Sequence, residues 1–170
     1  MIKKIISGGQ TGADRGGLEA GKSLKIKTGG WAPKGYKTEN GPDLSLKKFG
    51  LEEHWSSYYP ERTEKNVRNS HLTLIFGNLN SAGSKLTKKY CIKYEKSFLP
   101  ISIPLQVSFE KAFTAFEFFV EIAYDYNNNK PIILNIAGNR ESKSPGIQKF
   151  VEKFLIKTIR RLKRNEMWRS

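Results

Sequence analysis

A glycine-rich stretch near the amino end, residues 7–14 with the sequence SGGQTGAD, constrains the fold of this chain more than any other segment. Apolar residues before it predict a short strand at residues 3–7, and apolar residues at helical spacing after it predict a helix at residues 14–24. Glycines in such a turn let backbone N–H groups approach an anion where the helix begins and its dipole favours negative charge. The segment therefore predicts a strand, a turn and a helix that hold the anionic part of a ligand.

The side chains of this turn refine the hypothesis. Gly8, Gly9 and Gly12 are the positions at which we expect the backbone to approach the anion, and Thr11 and Asp14 are candidates for capping the helix. We expect Gly9→Val to abolish binding and to leave the fold intact, because side-chain bulk would block that approach. The spacing differs from the G-x-G-x-x-G dinucleotide fingerprint, so a tight turn without a ligand stays open as an alternative.

A phosphate-loop pattern, G-x-x-x-x-G-K-[ST], also occurs at residues 16–23. A working phosphate loop has a strand directly before its first glycine and a helix that starts at its lysine. Here the predicted strand ends about nine residues before the first glycine of the pattern, and residues 18–23 already have helical periodicity. We therefore interpret this match as part of the first helix.

Strands and helices alternate along the rest of the chain. Further strands are predicted near residues 30–33 and at residues 72–77, 98–103 and 131–137, and further helices at residues 84–96, at residues 109–126 and from residue 145 onward. Pro100 predicts either an edge position or an irregular start for the strand at residues 98–103. The alternation predicts an α/β fold of the Rossmann-like, doubly wound type, with a mostly parallel sheet of about five strands and helices on both faces. One domain over residues 1–170 is expected.

Residues 62–70 lie directly before the predicted strand at residues 72–77. Their candidate ligand-binding residues are Arg62, Asn66 and Arg68, because arginine suits phosphate or carboxylate groups. We expect Arg62 to face the glycine turn and to pair with a ligand phosphate, so that Arg62→Ala weakens binding more than about tenfold and changes thermal stability little. A solvated surface helix would explain the same charges and stays open.

A second turn of small residues follows that strand and adds Gly83, Ser84 and Thr87 to the candidates. The two turns would face one crevice if the strand order reverses between them, since open α/β sheets bind ligands at such points. The polar stretch at residues 34–60 lacks periodicity, which is typical of a segment that covers a site.

The distribution of the basic residues and the length of the apolar stretches make nucleic-acid binding and membrane insertion the weaker hypotheses. The 30 Lys and Arg against 16 Asp and Glu give a net charge of +14, which attracts anionic ligands or nucleic acid. The basic residues are spread through every segment without a recognition motif, so nucleic-acid binding is the weaker hypothesis. The apolar stretches are too short for a membrane helix, and no signal peptide is recognisable, so we expect a cytoplasmic protein without membrane contact.

Reactive residue types are few. Cys91 is the only cysteine, which excludes an internal disulfide, and we predict a small buried apolar role for it. His54 and His71 lack partners at metal-ligand spacing, so we interpret them as surface or partly buried polar residues and expect no metal site. Neither a nucleophile elbow nor a carboxylate pair identifies a catalytic residue, and the catalytic residues are therefore unknown.

Four motifs, in order along most of the chain, resemble those of the molybdenum cofactor carrier proteins, a Rossmann-like family related to the lysine-decarboxylase-like nucleotide-binding group. They are residues 6–18 (ISGGQTGADRGGL), 29–35 (GGWAPKG), 62–68 (RTEKNVR) ahead of 72–76 (LTLIF), and 134–147 (LNIAGNRESKSPGI). Within these motifs the candidate ligand-binding residues also include Gln10, Arg15, Lys34 and Thr63.

The resemblance implies a Rossmann-type oligomer that binds the pterin-phosphate molybdenum cofactor, molybdopterin, or a related phosphorylated ligand such as a nucleotide, without established turnover. We therefore predict a binding or carrier protein. The phosphoribohydrolase relatives have a P-G-G-x-G-T turn followed by a glutamate, and this chain has neither element, so a nucleotide-processing hydrolase is the alternative. The helix at residues 109–126 is apolar nearly all the way round, and we predict a dimer or tetramer formed through it, with a helix enclosed by its own domain as the alternative.

Overall fold

The structure, a computed structural model, describes residues 1–169, with side chains described as far as Asn165, and contains a parallel sheet of six strands with helices packed around it. The sheet strands are β1 (Ile2–Ser7), β2 (Lys27–Ala32), β5 (Leu51–Glu53), β6 (Leu72–Phe76), β7 (Ser97–Ile101) and β8 (Ile132–Gly138), while β3 (Lys37–Thr38) and β4 (Gly41–Pro42) form a separate antiparallel pair. The helices are α1 (Ala13–Ser23), α2 (Tyr59–Arg68), α3 (Ala82–Lys93), α4 (Phe109–Tyr126) and α5 (Ile147–Arg169), and two short 3₁₀ helices span Lys34–Tyr36 and Leu44–Phe49.

The strand order β5-β2-β1-β8-β6-β7 explains why helices cover both faces of the sheet. Parallel strands are joined by right-handed crossovers, so the direction of each crossover fixes the face on which its helix lies. The connections β1-α1-β2 and β7-α4-β8 run one way along the sheet, whereas those that contain α2 and α3 run the other way. Accordingly α5 packs against α1 and α4, while α2 packs against α3. The predicted Rossmann-like α/β class is confirmed.

The sheet has one strand more than the five that the sequence predicted. The additional strand is β5, which pairs with β2 inside the stretch that we expected to be irregular. It has three residues and one buried side chain, Leu51, so it contains no alternating pattern that a sequence could display. The short pair β3-β4 and the two 3₁₀ helices lie in the same stretch. No helix in the described part of the chain is both long enough and apolar enough to cross a membrane.

The hydrophobic core lies between the sheet and the helices on the α1 side. Its largest fully buried side chains include Phe76, Phe116, Leu134 and Ile136. Close packing of α1 depends on Gly17, because a Cβ at that position would lie 2.7 Å from the side chain of Ile136. A second, smaller cluster joins α1 to β2, β5 and the 3₁₀ helices and consists of Leu18, Ala32, Tyr36, Leu46, Phe49 and Leu51.

Two local predictions have clear outcomes. β7 lies at the edge of the sheet, the first of the two alternatives that Pro100 predicted, and Pro100 itself is exposed. Helix α4 has the predicted bounds, and it buries Phe113 and Phe116 while Phe118 and Tyr126 stay 56% and 88% exposed. The helix is therefore apolar on a face that its own fold does not cover.

Candidate functional site

The glycine turn between β1 and α1 is shaped by close contacts with other segments. Gly9 has a φ of 71°, and a Cβ built there would lie 2.7 Å from Leu51 and 2.8 Å from Leu46. A branched side chain at this position would therefore strain the backbone and clash with buried leucines. The expectation that Gly9→Val leaves the fold intact is wrong for this reason.

Most backbone donors of the turn already have acceptors within the protein. The N–H groups of Gln10 and Thr11 donate to Asp14 Oδ2 at 3.2 Å and to Gln10 Oε1 at 3.0 Å. The N–H of Ala13 donates to the carbonyl oxygen of Asn139 at 3.1 Å, because the segment after β8 packs over the start of α1. These donors are therefore satisfied by groups of the protein itself.

The capping predictions for α1 are wrong. Its N-cap residue is Gly12, and no side chain bonds the cap. The hydroxyl group of Thr11 donates to the carboxylate of Glu39, and the carboxyl group of Asp14 turns back to the N–H of Gln10. Both side chains hold the turn against neighbouring segments instead.

A cleft at the carboxyl edge of the sheet opens beside the turn, with a volume of about 110 Å³. We call it the sheet-edge cleft. It lies between β1, β8, α2 and α3, and it is lined by Gly8, Gln10, Asp14, Tyr59, Arg62, Thr63, Asn66, Gly83, Leu86, Thr87, residues 135–138 and Arg140. The ends of β1 and β8 meet here because the two strands are parallel neighbours. This is the edge at which open α/β sheets bind ligands.

A buried ion pair forms one wall of the sheet-edge cleft. Arg62 Nη1 lies 3.2 Å from Asp14 Oδ2, and the two side chains are only 12% and 5% exposed. The guanidinium group also lies over the ring of Tyr59 at 5.7 Å and fills the space beside Gly8, where a Cβ would come within 1.2 Å of Nη1. Burial raises the pKa of Asp14 above its usual 3.8, and the positive charge of Arg62 offsets part of that effect.

Arg62 consequently has a structural role that the sequence did not predict. Removing its side chain would leave Asp14 buried without its ionic partner, which is strongly destabilising. The expectation that Arg62→Ala changes thermal stability little is therefore wrong. Its predicted position is observed, since Arg62 faces the glycine turn and lines the cleft.

Two residues that line the cleft each have a buried donor without a partner among the described residues, Gln10 Nε2 and Arg62 Nε. The orientation of the Gln10 amide is fixed, because its Oε1 accepts the N–H of Thr11 at 3.0 Å and that of Glu39 at 2.9 Å. Only an oxygen can accept from two N–H donors, so the unpartnered atom is the amide nitrogen. Buried donors are normally satisfied, so each of these two lacks the acceptor that a buried N–H group usually has.

The cleft lining also contains a second guanidinium group, that of Arg140, and the start of α3. The guanidinium carbon of Arg140 lies 4.9 Å from the centroid of the Tyr59 ring. Ser81 caps α3 by accepting the N–H of Ser84 at 3.2 Å, and Asn139 Nδ2 donates to the same hydroxyl at 3.0 Å. Gly83 is exposed, with open space around its Cα, so the first turn of α3 can be approached from solvent.

The predicted site residues divide into three groups. Those that line the sheet-edge cleft are Gly8, Gln10, Asp14, Arg62, Thr63, Asn66, Gly83 and Thr87. Those that line a separate cleft of about 300 Å³ on the outer side of α1, together with Gln10, are Gly9, Thr11 and Arg15. Those that line neither are Gly12, Lys34, Arg68 and Ser84. Of these last, Lys34 is exposed in the first 3₁₀ helix, Arg68 lies over the ring of Tyr94 at 5.4 Å, Gly12 is covered by residues 139–141, and Ser84 is buried beneath its cap.

Arg15 is neutralised within the outer cleft. Its guanidinium group bonds Glu19 and Asp43, both at 3.0 Å, and Ser45 Oγ at 2.9 Å, and it lies 4.6 Å from the centroid of the Phe49 ring. Two carboxylates thus balance one cation. This arrangement links the second 3₁₀ helix to α1. Arg15 and its two carboxylate partners together have no net positive charge that would attract an anion.

Sequence reasoning missed Tyr59, Leu86, residues 135–138 and Arg140 as lining residues. Arg140 follows directly after β8, so the rule that ligands bind at carboxyl edges would have identified it if the position of β8 next to β1 had been known. Nothing in the local sequence around Tyr59 distinguishes it from the exposed Tyr58 beside it.

The other reactive residues lie away from the sheet-edge cleft. Cys91 is buried as predicted, and burial raises the pKa of its thiol to about 11. His54 Nδ1 accepts the N–H of Ser56 at 3.1 Å, and His71 Nδ1 accepts the N–H of Ile133 at 2.9 Å. Burial lowers the pKa of His71. The phosphate-loop pattern lies inside α1, and within the described residues no group of three or more His, Cys, Asp or Glu could hold a metal ion.

Comparison with known proteins gives one family and one structural relative. Residues 5–159 match the model of the circularly permutated YpsA SLOG family. The crystal structure of a "Putative molybdenum carrier protein" from Syntrophus aciditrophicus SB superposes with a TM-score of 0.80 at 37% sequence identity, and the match covers 91% of this chain and 92% of that one. No curated protein sequence gives a significant match.

Proposed function

The chain belongs to the circularly permutated YpsA SLOG family, and from that premise we propose that it binds and carries a small anionic ligand in the sheet-edge cleft. The observation that carries the proposal is the pair of buried donors, Gln10 Nε2 and Arg62 Nε, which lack partners among the described residues and belong to side chains that line this cleft. An unpaired buried donor costs about 1–3 kcal/mol. A ligand acceptor would remove that cost at both atoms.

The charge of the cleft supports an anion in particular. The lining contains two guanidinium groups, from Arg62 and Arg140, and a single carboxyl group, that of Asp14. None of the other residues that line the cleft is an Asp, Glu, Lys, Arg or His. Guanidinium groups bind phosphate oxygens with planar, charge-assisted hydrogen bonds, and the open first turn of α3 adds backbone N–H groups of the same polarity.

We further propose that the ligand is a phosphorylated pterin of the molybdenum cofactor type. The name of the structural relative supports this choice, and the two unpartnered donors fit a phosphate group. Arg62, Arg140 and Gln10 would hold that phosphate. The cleft, at about 110 Å³, is smaller than the several hundred Å³ typical of sites that enclose a whole ligand, so the rest of the molecule would extend out of the cleft.

Native mass spectrometry of gently purified protein tests this proposal. We expect a retained species with the mass of a phosphorylated ligand, and we expect Gln10→Glu to lose it because a carboxylate oxygen then replaces the donor. Arg68→Gln is the matched control, since Arg68 is exposed on the same helix as Arg62 and lines no part of the cleft. Protein that carries no ligand and also fails to bind inorganic phosphate or nucleotide in calorimetry would contradict the proposal.

We also propose that the chain forms a homo-oligomer, a dimer or a tetramer, through α4. Phe118 and Tyr126 are exposed on this helix although its other face is buried in the core. Large exposed aromatic side chains are typical of association surfaces. Sedimentation at micromolar concentration should show an oligomer, and Phe118→Ser should shift it toward monomer. A monomeric wild type would contradict this part of the proposal.

A further inference from the structure

The buried carboxyl group of Asp14 lies in the cleft in which the proposed function requires an anionic ligand to bind. Asp14 lines the sheet-edge cleft, its side chain is 5% exposed, and its Oδ2 accepts from Arg62 Nη1 and from the N–H of Gln10, both at 3.2 Å. When ionised, Asp14 repels a bound anion and occupies one of the two guanidinium groups of the cleft. An anion bound next to the ionised Asp14 carboxylate is therefore repelled unless the two groups share a proton.

We propose that the sheet-edge cleft takes up its oxyanion together with one proton, and that Asp14 is the residue that holds or shares this proton. The inference rests on the proposed function and names the chemistry of the same site. An ionised carboxylate offers only acceptors, whereas a protonated one offers an O–H that can donate to a ligand oxygen. Uptake of the proton also releases Arg62 from a charged partner, so the guanidinium group can turn its charge to the ligand.

Burial favours uptake of a proton by Asp14, whereas the positive charge of Arg62 opposes it. Arg62 and Tyr59 face the cleft from α2, Arg140 from the segment after β8, and Gln10 from the glycine turn, while the lining residues of α3 and β8 carry no charge. Burial raises the pKa of Asp14, and Arg62 opposes the rise only in part. The carboxyl group thus accepts a proton at a higher pH than an exposed aspartate would.

Proton sharing also defines the class of ligand. A phosphate monoester has a second pKa of about 6, so its oxygens are strong acceptors of an O–H and can equally bring the proton themselves. A hydrogen bond between a carboxyl group and such an oxygen is short and charge-assisted. The site is therefore suited to a terminal phosphate monoester, the group that a phosphorylated pterin or a mononucleotide carries.

Sulfate is the probe that isolates the contribution of the protein, because it carries no proton across the range in which carboxyl groups titrate. Calorimetric titrations with sulfate from about pH 4 to about pH 8 should show an affinity that falls about tenfold per pH unit above the pKa of Asp14. Repeating the titration in buffers of different ionisation enthalpy should show uptake of one proton per sulfate bound above the pKa of Asp14, and none well below it, where the free protein already carries the proton. That second measurement uses the wild-type protein alone.

The variant Asp14→Asn should remove the pH dependence, because its amide is neutral at every pH and keeps an oxygen for the N–H of Gln10. Glu19→Gln is the matched control on α1, since Glu19 lies outside the sheet-edge cleft, and it should keep the wild-type profile. If sulfate binds the wild type equally well at all pH values without proton uptake, the inference is overturned and the anion site stands. If sulfate and inorganic phosphate bind neither the wild type nor Asp14→Asn at any pH, the proposed function fails as well.

Discussion

Replacing Arg62 by methionine isolates the buried ion pair, because methionine keeps most of the side-chain volume and removes the charge. Hydrogen bonds to charged groups contribute about 1.5–3 kcal/mol, and loss of one partner of a buried pair costs somewhat more. The contact with Asp14 is a single bond at 3.2 Å rather than a two-pronged fork, so we expect a loss of about 2–3 kcal/mol at neutral pH. For a domain of this size that corresponds to a fall in melting temperature of about 5–10 °C.

The loss should depend on pH in a definite direction. Burial already raises the pKa of Asp14 in the wild type, and removing Arg62 raises it further. In acid, below the ordinary pKa of an aspartate, Asp14 is protonated in the folded and unfolded protein alike, and the variant should lose little. The deficit should then begin to grow as the pH rises through the pKa of Asp14 in the wild type, and it should reach its full size only above the still higher pKa of Asp14 in the variant.

Urea unfolding of the wild type and Arg62→Met across this pH range measures the deficit, and Arg68→Met serves as the control from the exposed face of the same helix. The double variant Arg62→Met with Asp14→Asn should recover most of the stability at neutral pH, since no ionised group then remains buried. A deficit that is the same at every pH, or a double variant as unstable as Arg62→Met, would refute the assignment of the buried pair.

Three further outcomes are expected. Gln10→Glu should weaken binding of inorganic phosphate at least about tenfold in calorimetry, because the new oxygen repels the anion at the position of the unpartnered amide nitrogen. Gly8→Ala should displace the Arg62 guanidinium, which lies 1.2 Å from the new Cβ, and weaken phosphate binding; unchanged affinity would place the guanidinium elsewhere. Cys91, buried and with a thiol pKa of about 11, should react with a thiol reagent at neutral pH only on unfolding, and rapid labelling of native protein would contradict its position.

The parts of the fold that the sequence predicts well are those with long periodic patterns. Helix α4 and the buried strand β6 need no partner to be recognised, because their own side chains define the buried face. The strand β5 has only three residues and forms through its pairing with β2, which no local pattern indicates. The strands β3 and β4 have two residues each and form a short hairpin, in which Thr38 Oγ1 donates to the carbonyl oxygen of Gly41 at 2.7 Å. Segments this short contain too few residues to display a periodic pattern.

In the site, too, local features could be predicted from the sequence, whereas contacts between distant segments could not. The glycine turn and Arg62 could be predicted because a turn between strand and helix and an arginine before a strand are local features. The ion pair of Arg62 with Asp14 joins residues 48 positions apart, and Arg140 reaches the cleft only because β8, the last strand, lies between β1 and β6. Local sequence does not determine the order of the strands in the sheet. Neither the ion pair nor the position of Arg140 could therefore be predicted from the sequence.

The central claim, that the sheet-edge cleft is an anion site, is tested most directly by a crystal structure of the wild-type protein with inorganic phosphate at saturating concentration. The account predicts a phosphate in this cleft with hydrogen bonds from Gln10 Nε2 and Arg62, and with Arg140 beside it. Phosphate bound elsewhere on the protein, or a cleft that holds only water while Gln10 and Arg62 remain as they are, would contradict it.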